Sequence, residues 1–349
     1  MHSIGFQPAS IVHVQIINRL PAGDESFYIR VSFMNREWYL TFHGGDGRSD
    51  LNNIHVFSTD GKKLRKALDR SSLPATVELR ELRGHTFGPD GDLYVANAFR
   101  EFSEILRFHG TRDKQGKHSF RDVFVQNDAV RNPGLSHPFS VVFDAHGDLY
   151  VTSQNTSLTL RYHGPKSTTG QAGAPMPMPA SLTQVINQKF SPGTFCASAK
   201  DGRDGLNVVR EAVFAAGRLY VVDRDADCVK KYDPGTGAYL GAIAAPKMID
   251  KPIHLAVSGD LLYIGNRGNE SVVKCDLHSE QVVPFIHPKS GGLNNPSGLA
   301  FGDDGYFYVA SRGSRQILRY RLADGWPDRH AFIDNMEDEP EFIESVYLR

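Results

Sequence analysis

A short segment with the pattern Pro-x-Gly-apolar-apolar-Phe-x-x-x-Gly-x-Leu-Tyr-Val recurs along this chain of 349 residues. Its clearest copies are residues 85–95, 140–151 and 298–309, and weaker copies lie at 212–221 and 255–264. Each copy has two short apolar runs around an Asp-Gly or similar turn, which is the pattern of a tight hairpin between two strands. The repeat therefore predicts a series of similar small antiparallel sheets.

A third apolar strand follows each hairpin, and the spacing of the copies indicates how the sheets are arranged. The tyrosines of the second strands are 56, 70, 43 and 45 residues apart, against roughly 40 to 50 for propeller repeats. They are Tyr94, Tyr150, Tyr220, Tyr263 and Tyr308. An earlier, less regular copy is visible in residues 28–33, 38–42 and 54–57. We therefore predict an all-β fold, a six-bladed β-propeller, with a seventh blade within residues 163–206 as the alternative.

The repeat covers nearly the whole chain, so we expect residues 1–349 to form one propeller domain with a long insertion at 163–206. A connection of that length is usually functional or disordered, and we expect a lid or binding role for its second half and a mobile linker for its Met-Pro part, residues 168–179. Closure of the ring requires a terminal strand to complete a blade begun at the other end of the chain. Residues 11–17 and 342–347 both have suitable alternation.

Composition limits the classes of partner. A formal net charge of −1 argues against nucleic acid, because nucleic-acid binders usually carry a basic face. The chain has no apolar run long enough for a signal peptide or a membrane span, so we expect a cytoplasmic protein without a membrane partner. Its three cysteines are too few and too scattered for a disulfide framework or a thiolate zinc site.

Arginines mark the positions at which a propeller usually binds its ligands, around the central channel where innermost strands begin and second strands end. Arg83 and Arg210 stand at the start of two innermost strands. The second strands are followed by further candidates, Asn97, Asn266, Arg224, Arg267 and Arg312. A guanidinium matches a carboxylate, so we predict that these residues bind a small carboxylate-bearing molecule. The alternative for the Asp/Asn-Arg pairs is a structural hydrogen-bond network between blades.

Histidines form a second candidate group. Three histidines lie near the starts of three different innermost strands: His85, His137 and His254. If their side chains converged on the axis, they would suit zinc, calcium or another divalent metal ion. They occupy three different registers of the repeat, and the alternative is that each is a hydrogen-bonded structural residue. As catalytic residues we predict His137 or His254 as acid or base, with Glu211 or Asp223 orienting the histidine or acting as base.

The repeat resembles that of NHL-type β-propellers, in copies such as residues 295–301 followed by 305–309. The resemblance covers most of the chain after residue 80. It implies the propeller fold and a range of activities, since this group includes binding scaffolds, RNA-binding domains and the peptidyl-hydroxyglycine lyase. Resemblance to the lyase in particular would imply a zinc ion bound by three axial histidines, and a catalytic arginine. Residues 42–46 resemble the arginine loop of that lyase, with Gly44 at the place of the arginine, and Ile253 and Ser297 stand where two of its histidines would be.

Three functions follow from these patterns. We interpret the chain as a cytoplasmic enzyme that acts on a small carboxylate-bearing molecule by lyase or hydrolase chemistry, with metal assistance as an option. The first alternative is a non-catalytic scaffold that binds a protein or peptide on one face of the propeller. The second is an RNA-binding propeller, which the charge balance disfavours.

Overall fold

The computed structural model describes residues 13–16, 29–32, 36–44, 49–99, 102–126, 128–183, 190–200 and 204–347. The strands of the first half are β1 (His13–Ile16), β2 (Ile29–Ser32), β3 (Arg36–Phe42), β4 (His55–Phe57), β5 (Lys63–Lys66), β6 (Leu82–Phe87), β7 (Leu93–Asn97), β8 (Glu104–Arg112), β9 (His118–Val125), β10 (Pro138–Phe143), β11 (Leu149–Ser153) and β12 (Leu158–Tyr162). Those of the second half are β13 (Thr194–Cys196), β14 (Val209–Ala215), β15 (Arg218–Asp223), β16 (Cys228–Tyr232), β17 (Tyr239–Ile243), β18 (Pro252–Ser258), β19 (Leu261–Asn266), β20 (Ser271–Asp276), β21 (Val282–Ile286), β22 (Pro296–Phe301), β23 (Tyr306–Ser311), β24 (Gln316–Arg321) and β25 (Pro340–Tyr347).

Helical structure is limited, in the part of the chain that is described, to single turns. They are Arg70–Ser72, Ala180–Thr183, Arg224–Ala226 and Ser290–Gly292. Within the same residues, none of the helices has the length and apolar character needed to cross a membrane.

All strands except β1 and β2, which pair with each other, build six antiparallel sheets, and these are the blades. The first blade has the order β25-β3-β4-β5, and the next four run β6 to β9, β10 to β13, β14 to β17 and β18 to β21. The sixth blade contains β22, β23 and β24. Each innermost strand contacts the innermost strands of the two neighbouring blades, so β6, β10, β14, β18, β22 and β25 form a closed ring. The predicted six-bladed, all-β propeller is confirmed.

The C-terminal strand closes the ring. β25 pairs with β3 from Phe342 opposite Thr41 to Tyr347 opposite Arg36. We had assigned residues 28–33 to the first blade, and this was wrong, because β25 occupies the inner edge of β3. The described part of that run, Ile29–Ser32, pairs instead with β1. The sequence did not distinguish the two termini, since both alternate.

The long insertion contributes to the third blade. Thr194–Cys196 pairs with β12 as the outermost strand, and Phe195 packs on Tyr150 with ring centroids 5.0 Å apart. None of the described residues between 163 and 200 lines the central cavity introduced below. Residues 194–196 of the insertion therefore form the outer edge of the third blade.

The turns of the hairpins explain why glycine recurs at one position of the repeat. Gly91, Gly147 and Gly305 have φ values of +86°, +84° and +82°, a region open to glycine without steric cost. The Tyr94 hydroxyl donates a hydrogen bond of 2.9 Å to Asp90 in the same hairpin. The Asp-Gly and Tyr positions of this copy are thus fixed by one turn.

Apolar side chains fill the seams between blades. Trp38 of the first blade is fully buried, and its ring centroid lies 4.3 Å from that of Tyr308 in the sixth blade. Ile343 of β25 belongs to the same cluster. Ser297 Oγ donates a hydrogen bond of 2.7 Å to the Pro340 carbonyl at the start of β25. The closing strand is therefore held by both its partner strand and the preceding blade.

A polar pair lies in the seam between the first two blades. His85 Nε2 in β6 is 3.5 Å from Glu344 Oε2 in β25, and this oxygen is buried although a third of the Glu344 side chain is accessible. Burial raises the pKa of Glu344 to about 8 and lowers the pKa of His85 to about 4. Both groups are thus mainly neutral at pH 7.

Shortening the core side chain of the closing strand should destabilise the protein. We expect Ile343→Ala to lower the free energy of unfolding by about 2–4 kcal/mol, because it leaves a cavity in the closing seam. Chemical denaturation measures the change. Leu240→Ala, at a side chain that is 43% exposed, is the control and should cost less than about 1 kcal/mol. Equal losses for the two variants would contradict the role of this seam.

The Glu344 carboxyl should give stability a pH dependence of defined sign. Its pKa is higher in the folded than in the unfolded chain, so its contribution is complete below pH 4.5 and is lost as the pH rises through 8. We expect Glu344→Gln to gain stability relative to the parent as the pH rises from about 5 to 8. Denaturation at several pH values measures this difference. Glu337→Gln, at an exposed ion pair with Lys63, should show no such gain.

Candidate functional site

A cavity of about 190 Å³ opens at the end of the channel where the innermost strands begin and the second strands end. Three registers of the repeat supply its walls. The first is the second residue of each innermost strand, and five blades contribute to the cavity from it. Going round the ring from the first to the fifth blade, these residues are Glu341, Arg83, Phe139, Arg210 and Ile253. Glu341 and Arg210 therefore come from opposite blades.

The second register is the residue that directly follows each second strand. His43, Gln154, Arg267 and Arg312 line the cavity from this register. Their backbone N–H groups bond to the carbonyl of the residue preceding the innermost strand, at 2.8 Å for His43 and at 3.1 Å for both Arg267 and Arg312. This repeated bond fixes the direction in which the side chains leave the backbone.

The third register precedes the innermost strand. Glu81 and His137 occupy it in the second and third blades and line the cavity. Their φ values are +53° and +58°, in the left-handed region that costs energy for residues other than glycine. The chain turns there directly into β6 and β10.

Two of the four arginines in the cavity are held by carboxylates. Arg83 Nη2 is 2.7 Å from Glu81 Oε1, and its Nη1 donates to the His43 carbonyl at 3.0 Å. Arg312 Nε is 2.5 Å from Glu339 Oε2, and its Nη1 is 3.2 Å from Glu341 Oε2. The charges of Arg83 and Arg312 are thus largely compensated within the protein.

Arg210 and Arg267 differ from them, because neither forms an ion pair within the described part of the chain. Arg210 Nη1 donates to the Val209 carbonyl at 2.8 Å, and its guanidinium lies 5.6 Å from the centre of the Phe139 ring. Burial, aided by the charge of Arg224, lowers the pKa of Arg210 to about 10. Burial and Arg312 also lower the pKa of Arg267. The cavity thus has uncompensated positive charge on the side of the fourth and fifth blades.

The histidines of the cavity are neutral at pH 7. Burial, followed by the charges of Arg83 and Arg210, lowers the pKa of His137 to about 4, and burial with Arg83 lowers that of His43. His137 Nδ1 is 4.0 Å from Glu81 Oε2, whereas its Nε2 has no hydrogen-bond partner among the described residues. A carboxylate beside Nδ1 favours the tautomer protonated there, which leaves the Nε2 lone pair free to accept a proton.

Glu341 is a buried but ionised carboxylate. Burial opposes its ionisation, yet the charges of Arg83 and Arg312 outweigh burial and keep the pKa of Glu341 below its usual value. Its Oε2 lacks an aligned hydrogen-bond donor among the described residues, although Arg312 is near. This oxygen therefore retains capacity to accept a hydrogen bond.

Several predicted binding residues lie outside the cavity wall. The Asn97 and Asn266 side chains accept the N–H groups of Arg80 and Asp250 at 2.7 and 3.3 Å, and so hold the loops that lead into β6 and β18. Asp223 accepts two such N–H groups in the fourth blade. Arg224 pairs with Asp225 at 2.8 Å. These four residues do not line the cavity.

His254 and Glu211 lie next to the cavity rather than in its wall. His254 Nδ1 donates to Glu211 Oε2 at 3.0 Å, and the same oxygen accepts the Leu255 N–H at 2.7 Å. Glu211 thereby joins the fourth blade to the fifth. The His254 ring packs against Phe139 and Phe342, with centroids 5.3 and 4.6 Å away. Phe139 is also part of the cavity wall, so the aromatic layer that contains His254 lies directly beside the cavity.

The structure does not bring the three predicted metal ligands together. His137 lines the cavity, His254 lies in the adjoining aromatic layer, and His85 lies in the seam with Glu344. In the residues described, no group of three His, Cys, Asp or Glu side chains has an arrangement that could hold a metal ion. The assignment of a divalent metal stays a prediction.

Sequence patterns do not mark His43, Glu81, Gln154 or Glu341 as site residues. All four stand in registers from which another blade supplies a predicted site residue. His43 is equivalent to Arg267, and Glu341 is equivalent to Arg210, once β25 and β3 are recognised as the first blade. For these two residues the missing signal was therefore the pairing that closes the ring.

Comparison with known proteins places the fold. No protein-family model and no curated protein matches the chain. Among solved structures, virginiamycin B lyase from Staphylococcus aureus aligns with a TM-score of 0.51 at 12% identity, over 89% of this chain and 84% of the lyase. A catalytically inactive variant of that lyase with quinupristin aligns with a TM-score of 0.52 at 13% identity, over 96% of each chain.

A chain of the nidogen/laminin complex aligns with a TM-score of 0.58 at 12% identity, over 89% of this chain and 98% of that chain. Identities this low concern the fold alone. Together with the ring of six sheets, they show that the chain has the β-propeller fold.

Proposed function

We propose that this protein is an enzyme that binds a small carboxylate-bearing molecule in the axial cavity and acts on it by lyase or hydrolase chemistry. The observation that carries the proposal is the pair Arg210 and Arg267, which lack a carboxylate partner among the described residues. A buried cation without a counterion is costly, so an anion bound beside it is favoured. A guanidinium fork offers a carboxylate two parallel hydrogen bonds.

The size of the cavity favours a small molecule. Its volume of about 190 Å³ lies below the roughly 300–1,000 Å³ of sites for drug-sized ligands. Nine of the eleven lining residues are polar or charged, and the apolar two, Phe139 and Ile253, are each 2% exposed. A compact polar ligand therefore matches the cavity better than a peptide side chain does.

His137 is the proposed acid/base group. Its neutral imidazole has a free Nε2, and the low pKa results partly from Arg83 and Arg210. A bound carboxylate would offset those charges and raise the pKa of His137, so the base becomes stronger when substrate is present. The guanidinium groups would stabilise negative charge that develops on the substrate as His137 removes a proton. This arrangement serves elimination next to a carboxylate, or activation of water for hydrolysis.

The binding half of the proposal is tested with butyrate and its neutral analogue butyramide. We expect butyrate to bind and butyramide not to bind, and Arg210→Met to weaken butyrate binding by at least about tenfold, because charge-assisted hydrogen bonds are lost. Calorimetry measures both affinities. Arg224→Met is the matched control, because Arg224 has the register of Arg267 but does not line the cavity, and it should change the affinity less than about threefold.

If Arg210→Met binds butyrate as tightly as the parent, the carboxylate site is refuted, and the protein-binding scaffold becomes the better interpretation. Circular dichroism of the variant shows whether it is folded.

The chemical half is tested at His137. A panel of carboxylate-bearing esters, lactones and hydroxy acids identifies a substrate, and we expect His137→Asn to lower its kcat by about 10²–10⁴ with a smaller change in KM. Turnover that survives in this variant would remove His137 from the mechanism.

The pH dependence of butyrate binding supplies a second readout of the same residue. Because the bound carboxylate raises the pKa of His137 from about 4, the complex holds more protons than the free protein. Affinity should therefore rise as the pH falls from 7 to 6, a range in which butyrate remains ionised. His137→Asn should remove most of this rise, whereas a merely structural histidine would leave it unchanged.

A further inference from the structure

We propose that the ligand of the axial cavity is a hydroxy acid, with one carboxylate bound on the side of Arg210 and Arg267 and an uncharged hydroxyl directed to the opposite side. This inference rests on the proposed carboxylate site and adds the chemical class of the ligand. It comes from the unequal distribution of charge around the ring of blades.

The two sides of the cavity differ in what they can bind. Arg210 and Arg267, of the fourth and fifth blades, provide donors without a carboxylate among the described residues. Glu341 and Glu81 come from the first and second blades. Arg83 and Arg312 already pair with these two carboxylates, so a second anionic group directed there would find no guanidinium without a carboxylate partner among the described residues, and the cavity should discriminate against dicarboxylates.

The side of the first and second blades offers a hydrogen-bond acceptor. Glu341 Oε2 is buried and accepts no aligned hydrogen bond within the described residues, although Arg312 Nη1 lies 3.2 Å away. An acceptor without an aligned donor in a buried site costs free energy that a ligand hydroxyl would recover. Glu341 lies opposite Arg210, so it favours a ligand with a donor at the end distant from its carboxylate. His137 Nε2, which also has no hydrogen-bond partner within the described residues, comes from the third blade, between the two sides.

The net charge of the cavity decides between a hydroxyl and an ammonium donor. Four guanidinium groups face two carboxylates in the wall and a third, Glu339, which pairs with Arg312 from outside the wall, and both histidines are neutral. An ammonium group would be repelled by this excess of positive charge, whereas a hydroxyl gives the same hydrogen bond without that repulsion. The distribution of charge therefore favours a hydroxy acid over an amino acid.

A four-carbon series separates these ligand classes. Butyrate, 4-hydroxybutyrate, 4-aminobutyrate and succinate share one carboxylate and differ only in the group at the far end. We expect 4-hydroxybutyrate to bind about three- to tenfold more tightly than butyrate, the gain of one hydrogen bond. We expect 4-aminobutyrate and succinate to bind more weakly than butyrate. Calorimetry at pH 7 measures the four affinities.

The variant Glu81→Gln tests the source of the discrimination. This variant removes one negative charge from the side of the first and second blades. The ratio of succinate affinity to butyrate affinity should then rise by about fivefold or more, because the second carboxylate of succinate no longer meets the partly screened charge of Glu81. Asp225→Asn, at a carboxylate outside the cavity wall, is the control and should leave the ratio unchanged. The ratio is informative because both acids use the same carboxylate site.

The outcomes distinguish this inference from the proposed function. Tightest binding of succinate or of 4-aminobutyrate, with loss in Arg210→Met, would overturn the hydroxy-acid assignment and keep the carboxylate site. Equal affinities of butyrate and 4-hydroxybutyrate would also overturn it. Binding of none of the four acids would refute the carboxylate site itself.

Discussion

The pairing of β25 with β3 is the contact on which the rest of this propeller depends. It joins the C-terminal strand to the first blade over seven residue pairs, and so converts an open row of sheets into a closed ring. Because the innermost strands then contact each other all round, the six blades present equivalent registers to one axis. The cavity exists only at that axis, and closure also brings Glu341 into its wall.

The cavity shows how a repeated backbone can carry an unrepeated site. The loops that lead into the innermost strands are held by the same hydrogen bonds in different blades, through Asn97, Ser153 and Ser311 among others. That scaffold fixes where the side chains of the two neighbouring registers point. The side chains themselves differ from blade to blade, and this difference produces a cationic side and a side with carboxylates. Function in such a ring resides in the departures from the repeat.

Electrostatics give the site its chemical character. Arg83 and Arg312 are compensated by glutamates, while burial keeps His137 neutral and leaves the charge of Arg210 unsatisfied. Each of these states depends on the others, since the guanidinium charges lower the pKa of His137 and a bound anion would offset them. Ligand binding and proton affinity are therefore coupled in this cavity. Phe139, His254 and Phe342 form an aromatic layer beside it.

The sequence by itself determined the hairpin repeat, the number of blades and the candidate registers, because turn glycines, alternating strands and repeat length are local properties of the chain. From those registers it selected Arg83, Arg210, Arg267, Arg312 and His137, which the fold brings to one cavity. Only the tertiary structure decided which terminus closes the ring, that Asn97, Asp223 and Asn266 hold loops, and that His85 and His254 lie apart from His137. These outcomes depend on strand pairing and contacts between blades distant in sequence, which no local pattern specifies.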